Sequence, residues 1–112
     1  MGIQFEDSAW NDYLYWQTED KKTLKKINTL IKDILRNPFD GIGKPEPLKN
    51  NMSGFWSRRI DDKNRIVYFE KQGTIYIVAC KNHYDWFLFF WFWKLPFSFG
   101  GNHSETDDKG KA

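Results

Sequence analysis

The chain reads as an α+β domain: an N-terminal strand, two helices packed on one face of a small antiparallel sheet, and a three-strand meander supplying most of that sheet. Three observations predict this. Apolar residues recur at helical spacing from Leu24 to Leu35. Three runs rich in β-branched and aromatic residues, 55–60, 65–70 and 74–81, follow them, and two short polar turns separate those runs.

Taken in order, Ile3 to Phe5 supplies the first strand. Asp7 or Ser8 can cap a first helix whose apolar positions, Trp10, Tyr13, Leu14 and Trp16, mostly share one face. Gln17 to Asp20 is a polar break. In the second helix Leu24, Ile27, Leu30, Ile31, Ile34 and Leu35 form one stripe, with Lys25, Lys26, Lys32 and Asp33 largely outside it. Asn37-Pro38 ends it, because a residue before proline avoids helical geometry. Residues 37–54, with three glycines and three prolines, read as an ordered loop. Asp61 to Asn64 and Lys71 to Gly73 read as hairpin turns. Residues 1–84 therefore form one domain, 85–99 an aromatic apolar extension and 100–112 a polar tail expected to be disordered.

A length of 112 residues allows one modest core. The formal charge is +2, but residues 1–84 hold 14 basic and 11 acidic side chains. The basic residues cluster at Lys21, Lys22, Lys25 and Lys26 and at Arg58 and Arg59, which favours an anionic partner such as RNA; taken alone, the lysines read as a solvated helix face. The single cysteine, Cys80, excludes an intramolecular disulfide and reads as a small core residue. With only His83 and His103 beside it, no metal-ligand spacing is present, and no cofactor is expected. The N-terminus carries no secretory pattern, so a reducing cytoplasm is the expected location.

Four residues suit phosphodiester cleavage by acid–base chemistry. RNA breaks when its 2′-hydroxyl attacks the neighbouring phosphate, which needs a base, an acid for the departing 5′-oxygen and positive charge for the transition state. Glu46 lies between Pro45 and Pro47 and so sits on a stiff, non-helical segment. Arg65 opens a strand and can aim its guanidinium fork at a phosphate. Arg58 and Arg59 point to opposite faces, and the hairpin register decides which joins Arg65. His83 can change protonation near neutral pH, and Tyr84 can stack on a base or bond a phosphate. Each has an ordinary alternative: a solvated loop glutamate, a sheet-surface arginine, a chain-end histidine, a tyrosine packed on the sheet edge. The joint pattern carries the reading.

That pattern resembles the YoeB branch of the RelE-like bacterial toxins. The matching stretches are 12–17 (DYLYWQ), 25–28 (KKIN), 43–49 (GKPEPLK), 54–60 (GFWSRRI), 65–68 (RIVY) and His83-Tyr84, with spacing intact over essentially all of 1–84. The resemblance implies a RelE-like microbial RNase fold and a toxin that cuts mRNA in the A site of the bacterial ribosome without a metal. It implies Glu46 as general base, His83 as general acid and Arg65 as transition-state clamp. Lys49 and Arg59 would hold phosphate, Tyr84 would position substrate, and Lys21, Lys22, Lys25 and Lys26 would touch ribosomal RNA. It further implies a YefM-like antitoxin, a homodimer, and operator DNA contacted only through the antitoxin. The alternatives are a ParE-type toxin that inhibits without cutting, and a decayed toxin that binds but no longer cleaves.

The departure from that family is the extension beyond Tyr84, with nine aromatic residues between Trp86 and Phe99. Its apolar run Trp86 to Trp93 is far short of the roughly 20 residues a spanning helix needs. Read-through of an altered gene end, a docking segment and an interfacial membrane anchor all fit; the first is the expectation, because nothing in the domain requires this composition.

Overall fold

The computed structural model describes residues 1–82. Five strands form one sheet: β1 (Gly2–Phe5), β2 (Glu46–Pro47), β3 (Trp56–Arg59), β4 (Arg65–Lys71) and β5 (Thr74–Ala79), in the spatial order β1-β5-β4-β3-β2. Helices α1 (Asp7–Glu19) and α2 (Lys21–Arg36) connect β1 to the rest. The α+β class and the meander follow the sequence reading. The sheet is mixed rather than wholly antiparallel, because β1 lies parallel to β5, from Gly2 opposite Thr74 to Phe5 opposite Ile77. A crossover through two helices brings β1 in at the edge, where a parallel partner needs such a connection.

Both helices cover one face of the sheet. Ile27, Leu30, Ile31 and Ile34 of α2 pack with Ala9 and Trp16 of α1 onto Ile66, Tyr68, Ile75, Ile77 and Cys80. The α2 stripe is the one the periodicity predicts, and burying each such side chain contributes roughly 1.5–3 kcal/mol. The face of α1 is the predicted one only in part, since Trp16 is buried and Tyr13 packs on the core. Trp10 and Leu14 are exposed, and the buried positions are Ala9, Asp12 and Trp16. Polar bonds explain the choice: Asp12 Oδ2 accepts the Cys80 N–H at 2.9 Å, and Trp16 Nε1 donates to the Cys80 carbonyl at 2.8 Å. α1 thus clasps both backbone groups of one residue at the exit of β5.

The caps also differ from expectation. Glu6 occupies the N-terminal cap position of α1 with no side-chain bond, and the Ser8 hydroxyl instead donates to the Val78 carbonyl at 2.9 Å. Val78 is the extra residue where the β4–β5 register shifts between Val67 and Tyr68. No loop separates α1 from α2. Asp20, in extended geometry, ends the first by donating its N–H to the Trp16 carbonyl and starts the second by accepting from the N–H groups of Lys22 and Thr23.

The segment 37–54 is more than a loop. It contributes β2 and a short 3₁₀ turn, Asn50–Met52. Its first half is tied down by Arg58, a fully buried side chain on the helix-covered face. Arg58 Nε donates to Tyr68 Oη at 3.1 Å. Nη1 donates to Asp33 Oδ2 at 2.6 Å and to the Ile42 carbonyl at 3.0 Å, and Nη2 to the carbonyls of Asn37 at 2.6 Å and Asp40 at 3.0 Å. All five guanidinium N–H groups have an acceptor. Arg58 is therefore a structural tether, not a member of a surface basic cluster. A Cβ at Gly41, where φ is +128°, would collide with the Asp33 carboxylate, so the chain there needs glycine.

Candidate active site on the open face of the sheet

Strand alternation and register decide which predicted residues meet. Arg59 stands opposite Arg65, and Ser57 opposite both Val67 of β4 and Glu46 of β2. Because Arg58 and Tyr68 point to the helices, Glu46, Ser57, Arg59, Arg65 and Val67 share the opposite, helix-free face. The question left open between the two adjacent arginines is thereby answered: Arg59 joins Arg65, and Arg58 turns away.

Glu46 is held at both ends of its strand. The Gly43 carbonyl accepts from Arg59 N at 2.7 Å, and Leu48 N donates to the Phe55 carbonyl at 2.8 Å. Between them Gly43 and Lys44 take positive φ values of 79° and 52° before Pro45, which swings the chain from the Arg58-tethered loop onto the sheet edge. The Glu46 carboxylate lies 4.0 Å from Arg65 Nη1, both side chains being part-buried. Burial, aided by the Arg59 charge, lowers the Arg65 pKa below the ordinary guanidinium value, while Glu46 raises it. Lys49 lies exposed just ahead of the 3₁₀ turn. One carboxylate beside the Arg65 cation, with Arg59 across the ladder from Arg65, can accept a proton next to a bound phosphate.

His83 and Tyr84 lie outside the described residues. The chain leading to them is fixed, however: Cys80 by Asp12 and Trp16, and Asn82 by donation of its N–H to Asn64 Oδ1 at 2.7 Å. Asn64 belongs to the β3–β4 turn, where Asp61 accepts from Lys63 and Asn64. Burial pushes the Asp61 carboxyl up, but those hydrogen bonds hold it below the usual range.

The α2 lysines divide. Lys21, Lys22 and Lys25, with Gln17, Leu24 and Asn28, line an open groove of about 520 Å³ on the helical side of the molecule. Lys26 is not in that lining and lies close enough to Asp61 to stabilise its charge. None of them belongs to the open face that carries Glu46. Two features of that face had no signal in the sequence reading. One is an aromatic row in which Phe55 meets Phe69 edge-on at 5.1 Å and Phe69 stacks on Tyr76 at 4.8 Å. The other is Ser57, whose hydroxyl is buried.

Solved structures share this architecture. The YoeB/ParE toxin from Agrobacterium tumefaciens superposes with a TM-score of 0.72 at 44% identity, over 75% of this chain and 100% of that one. YoeB in the heterotetrameric YoeB–YefM complex of Staphylococcus aureus gives 0.71 at 49% identity, over 75% and 98%. YafQ of E. coli, at 18% identity and a TM-score of 0.58, shares the fold alone. The fold is thus that of the small RelE-like toxins.

Sequence narrows the class. Residues 5–84 match the family of YoeB-like toxins of bacterial type II toxin–antitoxin systems. Toxin YoeB of Escherichia coli K12 is 55% identical over 84 residues, 75% of this chain and 100% of the relative. Toxin YoeB of Synechocystis is 56% identical over 85 residues, 76% and 99%. The chain belongs to the YoeB-like toxin family. Among the described residues, no helix is long and apolar enough to cross a membrane.

Proposed function

We propose that the chain is a ribosome-dependent endoribonuclease that cuts mRNA in the A site by metal-independent acid–base catalysis. The observation that carries this reading is the pairing of Glu46 with Arg65 on the open face, flanked by Arg59. Glu46 takes the proton of a 2′-hydroxyl, whose oxygen attacks the adjacent phosphorus. Arg65 neutralises the charge on the phosphorane-like transition state, with Arg59 and Lys49 holding flanking phosphates. The P–O5′ bond breaks as His83 protonates the departing oxygen, with Tyr84 positioning the nucleotide. The products are a 2′,3′-cyclic phosphate and a 5′-hydroxyl. Lys21, Lys22 and Lys25, and more weakly Lys26, face ribosomal RNA from the opposite side of the molecule.

A YefM-like antitoxin neutralises the toxin and carries any contact with operator DNA. The relatives solved as YoeB–YefM complexes and as a YoeB dimer support an antitoxin partner and a homodimer here. The test incubates the full chain with programmed bacterial ribosomes and maps mRNA ends, with naked mRNA as control. Cuts within the A-site codon only on the ribosome are expected, with Glu46→Gln slower by roughly 10²–10⁴-fold. No cutting by the wild-type chain would overturn the enzyme reading in favour of a ParE-like or binding-only toxin. Retained cutting by Glu46→Gln would move the base role elsewhere.

A further inference from the structure

Ser57 stands directly across the β2–β3 ladder from Glu46, on the same face. It is fully buried, and among the described residues its Oγ is the buried side-chain polar atom that has no hydrogen-bond partner. An unpaired buried hydroxyl costs stability, and alanine would fit the same space without that cost. Nothing in the packing of β3 calls for the oxygen. Its neighbours on the face are Glu46 and Val67, of which only the carboxylate can accept its proton. Directly opposed side chains on one face of an antiparallel pair lie about 4.5–5.5 Å apart at Cβ, within reach of a glutamate carboxylate bending toward a serine hydroxyl.

Glu46 faces Arg65 at 4.0 Å. The proposed reaction needs Arg65 elsewhere, on the phosphate. When its guanidinium turns to substrate, the carboxylate loses that counter-charge and must still be aimed at the 2′-hydroxyl. We propose that Ser57 is a positioning residue for Glu46: its hydroxyl donates to one carboxylate oxygen once Arg65 engages the phosphate, leaving the other oxygen directed at the 2′-hydroxyl. This role rests on the endonuclease reading above, but its geometry is testable without any activity.

Two measurements on the full chain decide it. The first is a crystal structure of the Arg65→Met variant, which removes the competing cation. The Glu46 carboxylate is expected within about 3 Å of Ser57 Oγ; a carboxylate turned to solvent, with Ser57 still unpaired or bonded elsewhere, overturns the proposal. The second compares Ser57→Ala with wild type for thermal midpoint, ribosome affinity and single-turnover cleavage on saturating programmed ribosomes. The midpoint should hold or rise and affinity stay unchanged, while cleavage slows roughly tenfold, as expected for one hydrogen bond to a charged group. Unchanged cleavage overturns the proposal, and so does a lowered midpoint that accompanies slower cleavage, which assigns Ser57 to folding. Absence of cutting by wild type refutes the endonuclease reading instead, and the Arg65→Met structure then decides the Ser57–Glu46 pairing by itself.

Discussion

Replacing Arg58 by methionine keeps the apolar stem and removes every donor of the tether. The carbonyl oxygens of Ile42, Asn37 and Asp40 lose the donor, Asp33 Oδ2 keeps only the Ile42 N–H of its two, and Tyr68 loses the donor to its hydroxyl. Removing the buried member of a pair whose carboxylate is partly exposed costs about 3 kcal/mol, the low end of the range for buried pairs. The carbonyls sit in a surface loop and can rehydrate, which holds the cost within that range although five bonds are lost. For a domain of this size each kcal/mol lowers the midpoint by about 4–8 °C, so Arg58→Met should melt roughly 12 °C or more below wild type. Arg58→Lys keeps a charge opposite Asp33 but has three donors on a shorter head, and should fall between. Thermal unfolding followed by far-UV circular dichroism checks both, and amide exchange should show residues 41–48 opening first. A midpoint for Arg58→Met within 2–3 °C of wild type, an energy below about 1 kcal/mol, would refute the tether as the main support of this segment.

Other outcomes follow from the same geometry. The Arg58 hydrogen bond, then the Ile42 N–H, hold the Asp33 carboxyl below its usual value, and Thr23 chiefly does the same for Asp20. A carboxylate lowered on folding adds stability above its unfolded pKa near 3.9 and loses it as pH falls through the folded value. Stability should therefore decline below about pH 4, and less steeply in Asp20→Asn, measured as urea midpoints across pH 2–6. Burial, reinforced by Asp12, pushes the Cys80 thiol up to about 12. Alkylation of the native chain by iodoacetamide at pH 8 should be undetectable on the time a free thiol reacts and become rapid in urea; rapid native labelling would contradict the clasp by α1.

The sequence carried α2 fully, because six apolar residues at helical spacing have one way to be buried. It carried α1 as an element but its orientation only in part. Asp12 reads as solvent-facing, whereas its bond to the Cys80 N–H, 68 positions away, favours its burial. β2 had no periodicity to read: Glu46 and Pro47, following Pro45, become a strand only because β3 lies alongside. In the site, alternation separated Arg58 from Arg59, and register then chose between them. Ser57 left no trace, since a serine in a strand looks the same whether or not its hydroxyl has a partner. The roles assigned to His83 and Tyr84 stand on side-chain chemistry and resemblance, those residues and the extension after them lying outside the described part of the chain.

The two borders of the sheet are unequal in what they offer another polypeptide. Leu48 directs its N–H inward to Phe55, so alternation turns the residue before it outward, and that residue is Pro47, with Pro45 two places earlier. Prolines at those outward positions leave β2 without N–H donors for strand addition, so the strand bearing the carboxylate cannot template aggregation. β1 has four residues and no proline. Among the described residues, a partner that extends this sheet by backbone pairing joins beside Gly2–Phe5, at the far margin from Glu46, leaving its carboxylate uncovered.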